Sequence, residues 1–327
     1  MKPFEHVDAA SLEEAVALRR RYGGKGRFIA GGTDLIGLLK DQILPEYPVA
    51  LINLKTIPGM DFIEESAEGL NIGPLATLAD IASAPAVQAR YTALSEAAGS
   101  VGSPEIRNMG TMGGNLCQDV RCWYYRYPHH MGKRMLCLRK GAGPCHAVKG
   151  ENRYHALTGA KKCFAVCPSD TAIALSALQA NIEILGTKGV RSLALEQFFT
   201  PLGNALGPEE VVKEIRAPAP SIDCRQRFLK FTEREPVDFA VASVASAVTV
   251  RNGTCVEARL FLGGVAPMPW RAEAAEQRIL GKVLDEGTVE EAARASVEGA
   301  KPLSGNAYKI EIVKALVKRA LLSTGVP

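Results

Sequence analysis

Two glycine pairs constrain this chain more than any other feature. The first lies in Phe28-Ile29-Ala30-Gly31-Gly32-Thr33-Asp34, the second about 80 residues on in Thr111-Met112-Gly113-Gly114-Asn115. Each reads as a turn leading into a helix. Such a turn presents unbonded backbone N–H groups and the positive end of a helix dipole, a seat for a pyrophosphate. Glycine serves where a side chain would block the approach of backbone to phosphate. Neither loop has the Rossmann or P-loop spacing, and no Gly-Lys-Ser/Thr follows, which argues against a nucleoside triphosphatase. Two such loops in separate units, converging on one diphosphate, fit an extended FAD. Two purely structural turns are the duller alternative.

The flanking pattern divides the chain. A capping box, Ser11-Leu12-Glu13-Glu14, starts a helix that ends at Gly23-Gly24. A strand is predicted over 27–30, a helix over 35–40 capped by Thr33 or Asp34, and a strand over 49–54, closing a first α/β unit near residue 57. A second unit opens at 69–73, continues with helices at 77–84, 94–99 and 170–180, and ends with a hairpin over 181–193 and a strand over 209–215. Ala217-Pro218-Ala219-Pro220 reads as a linker. Beyond it, strands over 227–232, 240–250 and 254–261, with Arg251-Asn252-Gly253 as a hairpin turn, precede helices over 272–280, 289–300 and 308–322. Sheet followed by helices suggests an α+β third region. The 327 residues suit two or three such units.

Six of the eight cysteines fall within the 51 residues from Cys117 to Cys167, directly after the second glycine pair. No two have the C-x-x-C spacing of a zinc knuckle, and ferredoxin runs are closer spaced. An iron–sulfur site, a zinc site and unconnected thiols all remain open on spacing alone. Local context favours some ligands. Cys122 opens an aromatic run, Cys122-Trp123-Tyr124-Tyr125-Arg126-Tyr127, that could screen a cluster from water. Cys137 and Cys145 bracket Arg139-Lys140-Gly141, which can donate hydrogen bonds to sulfide. Cys163 follows Lys161-Lys162. Cys117 and Cys167 read as hydrophobes or as cofactor lining, Cys224 and Cys255 as buried small hydrophobes. His129, His130, His146 and His155 read as exposed loop residues, one of which could tune the site through a hydrogen bond.

Charge is concentrated in the same place. Residues 121–163 hold ten Lys and Arg against one acid, Glu151, so the segment is +9 and the remainder −5, for a net +4. A basic loop can be a solvated face, a nucleic-acid footprint or a field that compensates an anionic centre. The last fits a cluster bound by four thiolates. No apolar run approaches a membrane span, and the amino terminus has no apolar signal-peptide core. The expected location is the cytoplasm, with export on a signal-bearing partner as the alternative.

Residues 28–34, the run Ser103-Pro104-Glu105-Ile106-Arg107-Asn108-Met109-Gly110-Thr111-Met112-Gly113-Gly114-Asn115, and Leu262-Gly263-Gly264-Val265-Ala266-Pro267-Met268-Pro269-Trp270-Arg271 together resemble the FAD-binding medium subunit of the xanthine dehydrogenase family of molybdenum hydroxylases. The likeness covers nearly the whole chain. It implies an α+β fold, with a vanillyl-alcohol-oxidase-type FAD-binding domain of two α/β subdomains (1–57 and 58–217) and a CO dehydrogenase flavoprotein-like C-terminal domain (224–327) of antiparallel sheet and helices. It also implies that Ala30, Gly31, Gly32, Thr33 and Asp34, with Thr111, Met112, Gly113, Gly114 and Asn115, grip the FAD diphosphate. Asp170 would contact the ribityl or flavin end, Val212 and Lys230 would approach the isoalloxazine, and Val101 would also touch flavin.

Most medium subunits lack the insertion over 119–163. Here it resembles that of the flavin subunits of periplasmic aldehyde oxidoreductase and 4-hydroxybenzoyl-CoA reductase, which carry an additional 4Fe–4S cluster. Cys122, Cys137, Cys145 and Cys163 match the aldehyde oxidoreductase pattern, whereas the reductase has its fourth cysteine where this chain has Tyr154. The resemblance implies an electron-transfer subunit beside a molybdopterin-binding large subunit and a small 2Fe–2S subunit, delivering electrons to ferredoxin or another acceptor, with no proton-transfer catalyst of its own. A reductase-like subunit with reversed electron flow is the alternative within the family. A zinc or nucleic-acid module, suggested by the aromatic and basic interleaving over 122–140, is the alternative outside it.

Overall fold

The computed structural model describes residues 1–132, 135–234 and 237–325. Lys133 and Arg134 of the basic segment lie outside the described residues. The first sheet is parallel and three-stranded: β1 (Glu5–Asp8), β2 (Gly26–Ile29) and β3 (Ala50–Asn53), with β3 central. Helix α1 (Leu12–Tyr22) starts at Ser11, whose hydroxyl accepts from the Glu14 N–H while Glu14 Oε2 accepts from the Ala10 N–H. It stops at Gly23, with φ 55°. Alternation along β3 sends Ile52 into a core with Leu12, Ala15 and Val16 of α1, and Leu51 to the opposite side against Leu38 and Leu39 of α2 (Leu35–Lys40).

The second sheet is antiparallel. Its strands are β4 (Ile63–Glu65), β5 (Gly69–Ile72), β6 (Asn181–Gly186), β7 (Gly189–Ala194) and β10 (Val211–Pro218), in the order β4-β5-β10-β6-β7; a small ribbon, β8 (Phe199–Thr200) and β9 (Gly203–Asn204), lies beside it in sequence. Helices α3 (Leu78–Ser83), α4 (Pro85–Arg90), α5 (Thr92–Gly99), α6 (Pro104–Met109) and α7 (Met112–Cys117) come before the cysteine segment, and α8 (Asp170–Ala177) and α9 (Leu195–Phe198) follow it. The third sheet orders β11 (Cys224–Phe231), β12 (Ala242–Arg251), β13 (Thr254–Gly263) and β14 (Trp270–Arg271) in sequence. Helices α10 (Glu273–Ile279), α11 (Glu286–Ala295) and α12 (Lys309–Gly325) cover one face.

One buried helix joins the second and third sheets. Every residue of α8 is buried. Leu175 belongs to the core of the second sheet, while Ile173, Ala174 and Ala177 meet Phe228, Ala245 and Phe261 of the third. Strand β12 is therefore covered on both faces, with Val244 and Val248 turned toward α11 and α12. Its sequence, ASVASAVTV, suits that position because small residues on one face let a helix approach closely.

Some boundaries differ from the sequence reading. Ala217 and Pro218 are not linker: they end β10, opposite Leu70 and Gly69 of β5. Proline is tolerated there because it sits at the strand's last position. The expected turn over 111–115 is instead the start of α7, with Thr111 Oγ1 accepting from the Gly114 N–H. Cys224 is only half-buried, whereas Cys255 is buried as expected. The Asn252-Gly253 turn is as predicted, with φ of 50° and 75° in the hairpin joining β12 and β13. Among the described residues no helix is long and apolar enough to cross a membrane.

Candidate functional site

The two glycine segments meet. At Gly31 an added Cβ would lie 1.8 Å from the carbonyl oxygen of Met109, so backbone touches backbone just before Gly110-Thr111. Only glycine permits this. Beside the contact opens a cavity of about 680 Å³, walled by Ala30, Gly31, Gly32, Thr33 and Asp34 on one side and by Thr111, Gly114, Cys117, Pro168 and Ser169 on the other. Its volume lies within the general range of ligand pockets, about 300–1,000 Å³. The opposed loops, the close backbone approach and this volume fit a dinucleotide cofactor.

Some expected contacts take other forms. Asp34 stands at the N-cap of α2 but makes no capping bond. Its carboxylate instead pairs with Arg121 (2.7 Å) and Arg126 (2.6 Å) and accepts from the Asp119 N–H (2.8 Å). Asn115 is buried, and its Oδ1 accepts from Ser169 Oγ and Thr171 Oγ1, holding the start of α8 against α7. Met112 and Val212 lie in the second sheet's core, and Gly113 sits against Pro74. Lys230 and Asp170 form a buried pair at 2.7 Å, with Lys230 Nζ also donating to the Ser100 carbonyl, the residue before Val101. Burial raises the Asp170 pKa, and the lysine acts in the opposite direction.

Among its described residues the inserted segment is mostly irregular, with three short 3₁₀ stretches, and it folds onto α2. Cys137 and Cys163 join one buried cluster with Leu38, Leu39 and Tyr125, with Cys122 packed against it. Burial pushes the Cys122 thiol up to about 11, and the neighbouring Cys163 and Cys145 push it the same way. A thiolate there needs a compensating cation. Two side chains address the sulfurs: Arg139 Nε donates to Cys163 Sγ at 3.3 Å, and His155 Nε2 lies 3.3 Å from Cys122 Sγ. Cys117 and Cys167 line the cavity instead; Cys117 is exposed, whereas Cys167 is buried, which raises its thiol to about 12. Among the described residues no three His, Cys, Asp or Glu side chains are set to hold a single metal ion. Ligands of an iron–sulfur cube stand farther apart, because each thiolate binds its own iron.

His155 departs from the exposed-loop expectation. It is 3% exposed. Burial, and secondarily Lys309, lowers its pKa to about 4. The ring is therefore neutral, and its Nε2 faces the Cys122 sulfur. Its position is fixed by the C-terminal domain: Lys309 Nζ (3.1 Å) and Asn306 Nδ2 (3.0 Å) both donate to the His155 carbonyl, and Lys309 also donates to that of Gly264. Sequence reading passed over Lys309, which gives no local signal in an ordinary amphipathic helix.

Burial lowers the Lys309 pKa to about 7. The folded value lies below the unfolded one, so between them the unfolded chain binds the extra proton and stability rises with pH; below about 7 both states are protonated and this dependence vanishes. Relative to Lys309→Met, the wild type is expected to gain roughly 1 kcal/mol per pH unit from about pH 7 to 9 in urea unfolding. A difference constant across that interval would refute it.

The basic segment is also less naked than its count implies. Arg121, Arg126 and Arg139 are spent on Asp34 and Asp119, acids outside the 121–163 window. Lys149, Lys161 and Lys162 remain exposed.

Comparison with known proteins agrees with this geometry. Residues 2–220 match the FAD binding domain in molybdopterin dehydrogenase, and residues 227–324 match the CO dehydrogenase flavoprotein C-terminal domain. The chain is 36% identical over 288 residues to the aldehyde oxidoreductase FAD-binding subunit PaoB of Escherichia coli, covering 85% of this chain and 86% of that one. It is 30% identical over 323 residues to the carbon monoxide dehydrogenase medium chain of Hydrogenophaga pseudoflava, covering 97% and 96%. Among solved structures, the H. pseudoflava carbon monoxide dehydrogenase lacking the Mo-pyranopterin moiety matches with a TM-score of 0.79 at 27% identity, over 99% of each chain. Quinoline 2-oxidoreductase from Pseudomonas putida 86 gives 0.77 at 25% identity, over 98% of this chain and 96% of that one. The chain belongs to the family of FAD-binding medium subunits of the molybdenum hydroxylases, and is an oxidoreductase flavoprotein component.

Proposed function

We propose that this chain is the electron-transfer subunit of a three-subunit molybdenum enzyme, holding FAD in the cavity and a 4Fe–4S cluster on Cys122, Cys137, Cys145 and Cys163. Partners would be a molybdopterin-binding large subunit and a small 2Fe–2S subunit, as in the family. The likeness to an aldehyde oxidoreductase subunit favours an aldehyde as the substrate of the large subunit. The two cofactors would supply pairwise and single-electron carriage, respectively.

The observation that carries this reading is the convergence of two glycine segments on one cavity, with the inserted thiols folded onto the helix that follows the first. Residues 30–34 and 111–115 would hold the diphosphate. The Asp170–Lys230 pair, with Val101 and Val212, would serve the ribityl and flavin end. The chain's own task is to bind, to exclude water and to fix charge near each site. Tyr125 is buried over the thiols, and its hydroxyl donates to Asp119.

Purified complex should contain one FAD per copy of this chain. It should also show a 4Fe–4S signal in Mössbauer and electron paramagnetic resonance spectra, separate from the 2Fe–2S signals of a partner. Flavin without four-iron signal would remove the cluster and keep the FAD assignment; zinc in a colourless protein would favour the other class. The exposed Lys161 and Lys162 would meet an acidic acceptor such as a ferredoxin. Lys161→Glu with Lys162→Glu is expected to slow turnover with that acceptor several-fold at low salt and little at high salt. An unchanged salt dependence would count against docking there.

A further inference from the structure

We propose that Arg139 is a positioning residue that ties the two cofactor sites together, setting the potential of the thiol-bound cluster through a charge chain that reaches the first glycine loop. The inference rests on the cluster reading above. Arg139 follows Cys137 by two residues in a 3₁₀ turn, and its side chain is 7% exposed. Its Nε addresses Cys163 Sγ at 3.3 Å. Its Nη1 lies 3.5 Å from Asp119 Oδ1, and its remaining donors bind the Leu202 and Pro201 carbonyls at 3.2 and 3.1 Å. Those carbonyls lie between β8 and β9, so the fork is held from three directions. Asp119 in turn gives its N–H to Asp34 at 2.8 Å, and Asp34 belongs to the first glycine loop. Both Arg139 and Asp119 also wall the FAD cavity.

The electrostatics have a definite sign. Reduction adds one negative charge to the cluster. A fixed guanidinium at a ligand sulfur stabilises the reduced form and raises the potential. Asp119, within reach of the same guanidinium, offsets part of that field. Loss of Arg139 should therefore lower the potential, and loss of the Asp119 charge should raise it. A residue that merely braced the loop would not give opposite shifts. Because the guanidinium also faces the cavity, its removal should be felt at the flavin too, but less than at the sulfur it touches.

The test is a redox titration of the whole complex, followed by electron paramagnetic resonance, with iron and flavin assayed in each sample. Arg139→Gln is expected to shift the four-iron midpoint to more negative values. Arg139→Lys, which keeps the charge but loses the fork, should fall between it and wild type. Asp119→Asn should shift the midpoint the other way. An unchanged midpoint in Arg139→Gln with full iron, or the same direction of shift in both variants, would overturn the proposal. If Arg139→Gln fails to assemble, Arg139→Lys and Asp119→Asn decide by the same signs. Absence of a four-iron signal in the wild type would overturn the cluster reading, and this inference with it.

Discussion

Gly31→Ala is expected to strip the flavin from the protein, lowering the bound flavin per chain at least tenfold under dilute conditions. The added methyl would meet the Met109 carbonyl oxygen at 1.8 Å and its carbon at 2.7 Å. Neither atom belongs to a flexible side chain, so the two backbone segments would have to part by about 1.5 Å to reach an ordinary van der Waals separation. On the proposed reading that gap opens where the two loops would close on one diphosphate, and every N–H contact to a phosphate oxygen there would depend on the spacing. A tenfold loss corresponds to only about 1.4 kcal/mol, less than the cost of one or two such contacts to a charged group. Gly37 is the matched control. It sits in α2, in the same stretch of chain, and nothing lies within 4 Å of its added methyl. Gly37→Ala should keep its flavin and gain up to about 1 kcal/mol of stability from helix propensity. Flavin absorbance per mole of purified chain checks both. A Gly31→Ala protein with full flavin would show that the contact does not govern the cavity.

Much of this arrangement was legible in the sequence, and what escaped it did so for identifiable reasons. The capping box at Ser11, the Asn252-Gly253 turn and the apolar runs of β3, β12 and β13 are local signals, and the structure follows them. Strand β1 was missed because Glu5-His6-Val7-Asp8 has one apolar residue; it is a strand only because β3 offers a parallel edge. Pro218 signals a break, yet its position at the end of β10 lets it remain in the sheet. At the site, the type of residue could be read but not its partner. Asp34 looks like a cap and is an anchor for two arginines; His155 looks like a solvated loop histidine and is buried against a thiol. In both cases the deciding partner lies more than thirty residues away, at Arg121 and Arg126 for the first and at Cys122 and Lys309 for the second.

The cysteine segment separates its six thiols into two sets, and substituting them one at a time should produce two distinct phenotypes. Serine in place of Cys137 or Cys163 is expected to abolish the four-iron signal while leaving most of the flavin bound. Both thiols are buried beneath α2, where a hydroxyl binds iron poorly and cannot readily ionise. Cys122 and Cys145 are less covered, and the same change there should leave a partial or oxygen-sensitive cluster. Serine at Cys117 or Cys167 should do the reverse. Those thiols line the nucleotide cavity and belong to a different wall, so iron should be retained in full while flavin affinity changes. Iron and flavin assays on the same preparations provide the comparison, and circular dichroism shows whether each variant has folded. If Cys117→Ser lost iron as completely as Cys163→Ser, the ligand set named here would be wrong. If neither lost any, the inserted segment would hold no cluster, and its buried thiols would be packing alone.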